Sequence, residues 1–89
     1  MSVHNIKVLL FGEASELVGC KETYLEFPTS CTNKDLKDIV IAQLAKLKPL
    51  KDCLAIAVDW RYIDIDDSQN FIPVGQIEEI AILPPISGG

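Results

Sequence analysis

From Ile6 to Phe11 every residue but Lys7 is apolar, and the run reads as a strand. With a period of two, Ile6, Val8 and Leu10 share one face, Lys7, Leu9 and Phe11 the other, and Gly12 ends the run. Glu13 to Val18 predicts a single helical turn with Leu17 and Val18 inward, closed by Gly19. Glu22 to Phe27 then alternates, with Thr23, Leu25 and Phe27 inward and both glutamates and Tyr24 outward, until Pro28 stops it. The period next changes to three and four: Leu36, Ile39, Val40, Leu44 and Leu47 form one stripe, while Lys34, Lys37, Asp38, Gln43 and Lys46 take the wet side. Thr32 supplies an N-cap with Asp35 at the capping-box spacing, and Pro49 is expected to end the helix. Leu54 to Val58 predicts a third strand with Leu54, Ile56 and Val58 on one face, and Tyr62-Ile63 a short fourth. The segment from Phe71 to Gly75 leads into a last strand from Glu78 to Leu83.

This order, ββαββ, predicts an α+β domain over residues 1–83. A short lone helix is marginal in water, so its apolar stripe must lie on a sheet that curls over it. With the first and last strands side by side in the middle, Ile80 and Ile82 join Ile6, Val8 and Leu10 beneath the helix. The other face then shows Leu9 and Phe11 beside Ala81 and Leu83, with Lys7 and Glu79 placed to pair. One helix covers one face, so this second apolar patch is a candidate protein interface.

Beyond Leu83 the chain runs Pro84-Pro85-Ile86-Ser87-Gly88-Gly89. The two prolines lack backbone N–H groups and fix φ, so the strand ladder cannot continue and a stiff, extended tail over residues 84–89 is expected. Six extended residues reach at most about 20 Å. A terminal glycine pair has no side chain to block a narrow channel, so another protein's active site can close around the end. The remaining chemistry is sparse. Net charge is −5 with no Lys/Arg cluster, which argues against nucleic acid and anionic membrane as partners. Cys20, Cys31 and Cys53 are far apart, without a C-x-x-C pair, and read as buried or half-buried thiols of a reducing, cytosolic compartment. No long apolar span or leader is evident. Asp64, Asp66 and Asp67 lie in a polar stretch without the glycine and closing glutamate of a calcium loop, so no metal site is expected. The single histidine, His4, lies in the N-terminal approach, and neither a nucleophile–base set nor a Gly-rich phosphate loop is present.

From about Ile6 to Gly89 the chain resembles the small-subunit family of molybdopterin synthase, β-grasp, ubiquitin-like sulfur carriers. The most specific match is Ile82-Leu83-Pro84-Pro85-Ile86-Ser87-Gly88-Gly89, which looks like the eukaryotic members. Val8-Leu9-Leu10-Phe11, Glu16-Leu17-Val18-Gly19 and Ala57-Val58 match the opening strand, the turn after it and the third strand. Departures are Ser15, where many members are basic, and Asp59, where bacterial members often have asparagine. Ile77-Glu78-Glu79-Ile80 replaces the usual Gly-Asp-Glu approach to the last strand.

The resemblance implies a mechanism. A ubiquitin-E1-type adenylyltransferase and sulfurtransferase uses ATP and Mg²⁺ to adenylate the terminal Gly89. A persulfide sulfur displaces AMP and leaves a thiocarboxylate. That anion enters the large synthase subunit, in a heterotetrameric complex, and gives sulfur to cyclic pyranopterin monophosphate to form molybdopterin. Gly89 carries the sulfur, Gly88 permits threading, Pro84 and Pro85 stiffen the approach with Ile86 and Ser87 beyond them, and Leu9, Phe11, Ala81 and Leu83 dock partners. The chain itself binds no cofactor and catalyses nothing alone. The same fold and ending also suit a sulfur carrier for thiamin synthesis or tRNA thiolation, or a ubiquitin-like modifier. A plain interaction domain is the alternative from another class.

Overall fold

A computed structural model describes residues 3–84. Of the expected tail only Pro84 falls within it; Pro85, Ile86, Ser87, Gly88 and Gly89 lie outside the described residues. The opening strand, β1 (Val3–Leu10), is followed by the one-turn helix α1 (Glu13–Val18), which ends on Gly19 in the left-handed region at φ 92°. Strand β2 (Glu22–Pro28) returns antiparallel to β1, with Ile6 opposite Leu25 and Leu9 opposite Glu22. The last strand, β7 (Glu79–Leu83), lies parallel to β1 on its other side, pairing Val8 with Ile80 and Leu10 with Ile82. Strand β4 (Ala55–Val58) flanks β7 antiparallel, and the two-residue β5 (Arg61–Tyr62) closes the sheet in the order β2-β1-β7-β4-β5. The sequence-first and sequence-last strands are therefore the inner pair, as the patterning predicts.

Helix α2 (Asn33–Gln43) crosses one face of this sheet. The amide of Asp35 donates to Thr32 Oγ1 at 3.1 Å, so the N-cap forms where expected. Val8, Phe27, Leu36, Val40, Leu47, Ile56, Ile80 and Ile82 meet beneath it with essentially no exposure. Each such side chain contributes roughly 1.5–3 kcal/mol of burial, which stabilises the β-grasp against its conformational entropy.

Five expectations need correction. Helix α2 stops at Gln43, because Leu44 leaves the helical region (φ −117°, ψ 69°), and Ala45–Leu50 continues as a 3₁₀ helix. Leu47 stays buried because the tighter turn still aims it inward, and Pro49 sits inside that turn rather than ending the helix. Second, β3 (Ser30–Thr32) and β6 (Phe71–Pro73) form a separate antiparallel pair beside the main sheet, pairing Cys31 with Ile72. Third, Lys7 pairs with Glu22 (Nζ–Oε2 3.7 Å) rather than Glu79, although Lys7 and Glu79 are neighbours in register. Fourth, only Cys31 is a buried thiol; Cys20 and Cys53 are exposed. The fourth main-sheet strand also falls one residue early, at Arg61–Tyr62. His4 is part of β1, half-buried, with its Nε2 enclosed and unpartnered among the described residues.

Candidate functional site

The site lies where the inner strands end together. Because β1 and β7 are parallel, Leu10 and Ile82 stand side by side, and Phe11 N donates to Ile82 O at 3.1 Å just past β1. Leu83 ends β7 and Pro84 follows at the same end of the sheet, next to Gly12. Gly12 takes φ 55°, and a Cβ added there would stand 2.9 Å from Pro84 Cγ, so one of the two would have to shift. Glycine at this turn lets the first tail residue lie close against the β1–α1 connection.

Strand alternation sorts the docking candidates. Leu9, Ala81, Ala57 and Tyr62 form one row across the outer face by register, and Phe11 and Leu83 extend the next. Phe11 is 38% exposed, whereas Leu9 and Leu83 are half-buried. Ala81, on the same face, is only 2% exposed, so it forms the floor of the patch rather than its contact surface. A groove of about 460 Å³ opens beside it, lined by Leu9, Phe11, Gly12 and Ser15 and rimmed by Lys21 and Glu22. A larger groove, about 530 Å³, runs between α2 and the 3₁₀ helix past Lys37, Lys48 and Lys51.

Two residues of this face escaped the sequence reading. Trp60 and Tyr62 are 57% and 65% exposed. Asp59 and Trp60 form the two-residue β4–β5 connection, both at positive φ (48° and 67°), the pattern of a type I′ hairpin. Asp59 fits, since its short side chain tolerates the left-handed region, and its Oδ1 accepts from Glu78 N at 2.9 Å and Glu79 N at 3.0 Å. Trp60 Nε1 donates to Glu79 Oε1 at 2.6 Å, and the indole meets Phe11 edge-to-face at 6.1 Å. The ring is thus tethered at Glu79 and packed against Phe11. The sequence reading, with the fourth strand at Tyr62-Ile63, left three residues after Val58 and so missed the primed turn that a two-residue gap requires.

Among the described residues the site is an apolar surface beside the end of β7. Among the described residues no group of three His, Cys, Asp or Glu side chains could hold a metal ion. Asp64, Asp66 and Asp67 are occupied in turns: Asp67 accepts from Gln69 N, Asn70 N and Asn70 Nδ2, which holds its carboxyl below the ordinary value. No helix among the described residues is long and apolar enough to cross a membrane.

A model of the ThiS family matches residues 8–89. Similar proteins include the molybdopterin synthase sulfur carrier subunit of Caenorhabditis briggsae, 35% identical over 85 residues (96% of this chain and 98% of that one). The protein of the same name from Arabidopsis thaliana is 33% identical over 84 residues (94% and 82%). Among solved structures, SAMP1 from Haloferax volcanii gives a TM-score of 0.69 at 17% identity, covering 97% of this chain and 100% of that one. A putative molybdopterin converting factor subunit 1 from Pyrococcus furiosus gives 0.65 at 22% identity, covering 92% and 98%. At such identities the structural likeness establishes the β-grasp fold.

Proposed function

Since the chain belongs to the ThiS family, we propose that it works as the sulfur carrier subunit of a molybdopterin synthase in molybdenum cofactor biosynthesis. The observation that carries this reading is the span of the family match, which runs through the ending Pro84-Pro85-Ile86-Ser87-Gly88-Gly89. The relatives that share nearly the whole chain bear that name.

In this reading Gly89 is the reacting residue. Its carboxylate is a poor electrophile until an E1-like enzyme, using its own ATP and Mg²⁺, converts it to an acyl-adenylate. The outer sulfur of a persulfide on that enzyme then displaces AMP to give an acyl disulfide. A second thiol attacks its other sulfur, is oxidised into a disulfide, and releases a thiocarboxylate that is anionic at neutral pH and a good nucleophile, by the logic that makes a thiolate more reactive than a thiol. The large synthase subunit receives the tail, supplies the pterin pocket and the acid–base groups, and takes sulfur onto cyclic pyranopterin monophosphate. Gly88 lets the end thread, and Pro84 and Pro85 restrict its approach. Leu9, Phe11 and Leu83 dock the body over the Ala81 floor. All of this belongs in the cytosol.

Position decides the chemistry, because a misplaced reacting atom forfeits the advantage of proximity. Deleting Gly89, or adding one residue after it, should abolish sulfur transfer in a reconstituted synthase assay while leaving the circular dichroism spectrum unchanged. Wild-type turnover from either variant would refute the assignment.

A further inference from the structure

Trp60 contributes nothing to the buried core, yet four hydrogen bonds fasten its turn to the start of β7. The fourth of these runs from Asp59 N to Glu79 O at 2.9 Å. A large aromatic residue at φ 67° is held in a region that side chains with a Cβ disfavour, where glycine is the usual occupant of a type I′ hairpin. The fold would close as well on a small residue there. What the arrangement does is fix an indole, more than half exposed, in one orientation beside Phe11.

We propose that Trp60 is the anchor of the docking surface. Glu79 and Asp59 are its positioning residues, and its occupant is an apolar socket on the same partner that receives the tail. The inference rests on the sulfur-carrier reading and deepens it, because the patch is continuous with Leu9, Phe11 and Leu83. Tryptophan held by a hydrogen bond and an edge-to-face contact has already lost much of its rotamer freedom, so docking orders little more. A preordered aromatic ring packed beside a second exposed aromatic has the form of a binding hot spot. Tyr62, opposite Ala57 in register, completes the rim. The occupant is a protein rather than a small ligand: Trp60 and Tyr62 are exposed and line none of the grooves described above, and apolar side chains rather than convergent polar groups define the patch.

The chain has one tryptophan, so its emission reports this residue alone. Titrating the full chain with the purified large synthase subunit should shift Trp60 emission to the blue and protect it from acrylamide. Trp60→Ala should weaken binding by roughly tenfold or more with the fold intact by circular dichroism. Glu79→Ala should raise acrylamide quenching of the free chain and weaken binding several-fold. Glu79→Gln, whose carbonyl still accepts from the indole, should restore both. A complex that forms with unchanged Trp60 quenching, or at equal affinity for Trp60→Ala, overturns the anchor and leaves the carrier reading standing. Failure of the wild-type chain to bind the large subunit at all overturns both.

Discussion

Cys31 sits in the short strand β3, 4% exposed, one residue before the Thr32 cap of α2. Burial, and after it the Asp35 carboxylate, push its thiol above the ordinary value of 9.0. The folded chain therefore keeps the thiol protonated at a pH where the unfolded chain already ionises. Stability is full below the unfolded value and falls as pH rises through it toward the folded one. Urea titrations from about pH 8 to about pH 10 should show a steeper loss for the wild type than for Cys31→Ala, since cysteine ionises near 8.5 in unfolded chains. Parallel slopes would mean that Cys31 titrates alike in both states. Asp59 illustrates the same scale without titration: one carboxylate oxygen satisfies two backbone donors at the start of β7. That bond set supplies a physical reason for a short polar residue at this position.

At the scale of elements, β2 is an outer strand of the sheet, and its outward backbone groups would otherwise face water or another chain. Gln43, the last residue of α2, answers one of them twice: its Oε1 accepts from Glu26 N at 3.1 Å and its Nε2 donates to Glu26 O at 2.7 Å. The helix end and the sheet edge are thereby tied. Gln43→Ala should cost about 1 kcal/mol and speed hydrogen exchange at the Glu26 amide, with the inward-facing amides of β2 unaffected. Unaltered exchange at Glu26 would show the tie to be inert. These elements also mark where the sequence was legible. Long periodic runs, such as the stripe from Leu36 to Leu47 and the alternation from Glu22 to Phe27, declared their type and their buried face. The three-residue strands β3 and β6 did not, because they are too short to hold a period and are flanked or ended by prolines. The end of α2 was missed for a related reason: Leu44 and Leu47 keep helical spacing across a change of backbone that spacing cannot report.

For the whole molecule, topology brings together residues that lie far apart in the chain. The parallel β1–β7 pair puts Phe11, Leu83 and Pro84 at one end of the sheet, although the first is over seventy residues from the others in the chain. The apolar outer patch was legible from alternation once β1 and β7 were set side by side. The left-handed turn at Asp59-Trp60 was not, since no periodicity encodes it. The body then offers partners a surface, while the residue read as chemically active stands at the far end of the glycine pair. Intact mass spectrometry tests that division most directly. The chain is incubated with its E1-like activating enzyme, ATP, Mg²⁺ and a persulfide sulfur source. The account predicts a product heavier by the exchange of one oxygen for sulfur, located at Gly89 by fragmentation and lost again when the large subunit and the pterin are added. An unmodified terminus, or a product joined through Gly89 to lysines of other proteins instead, would contradict it.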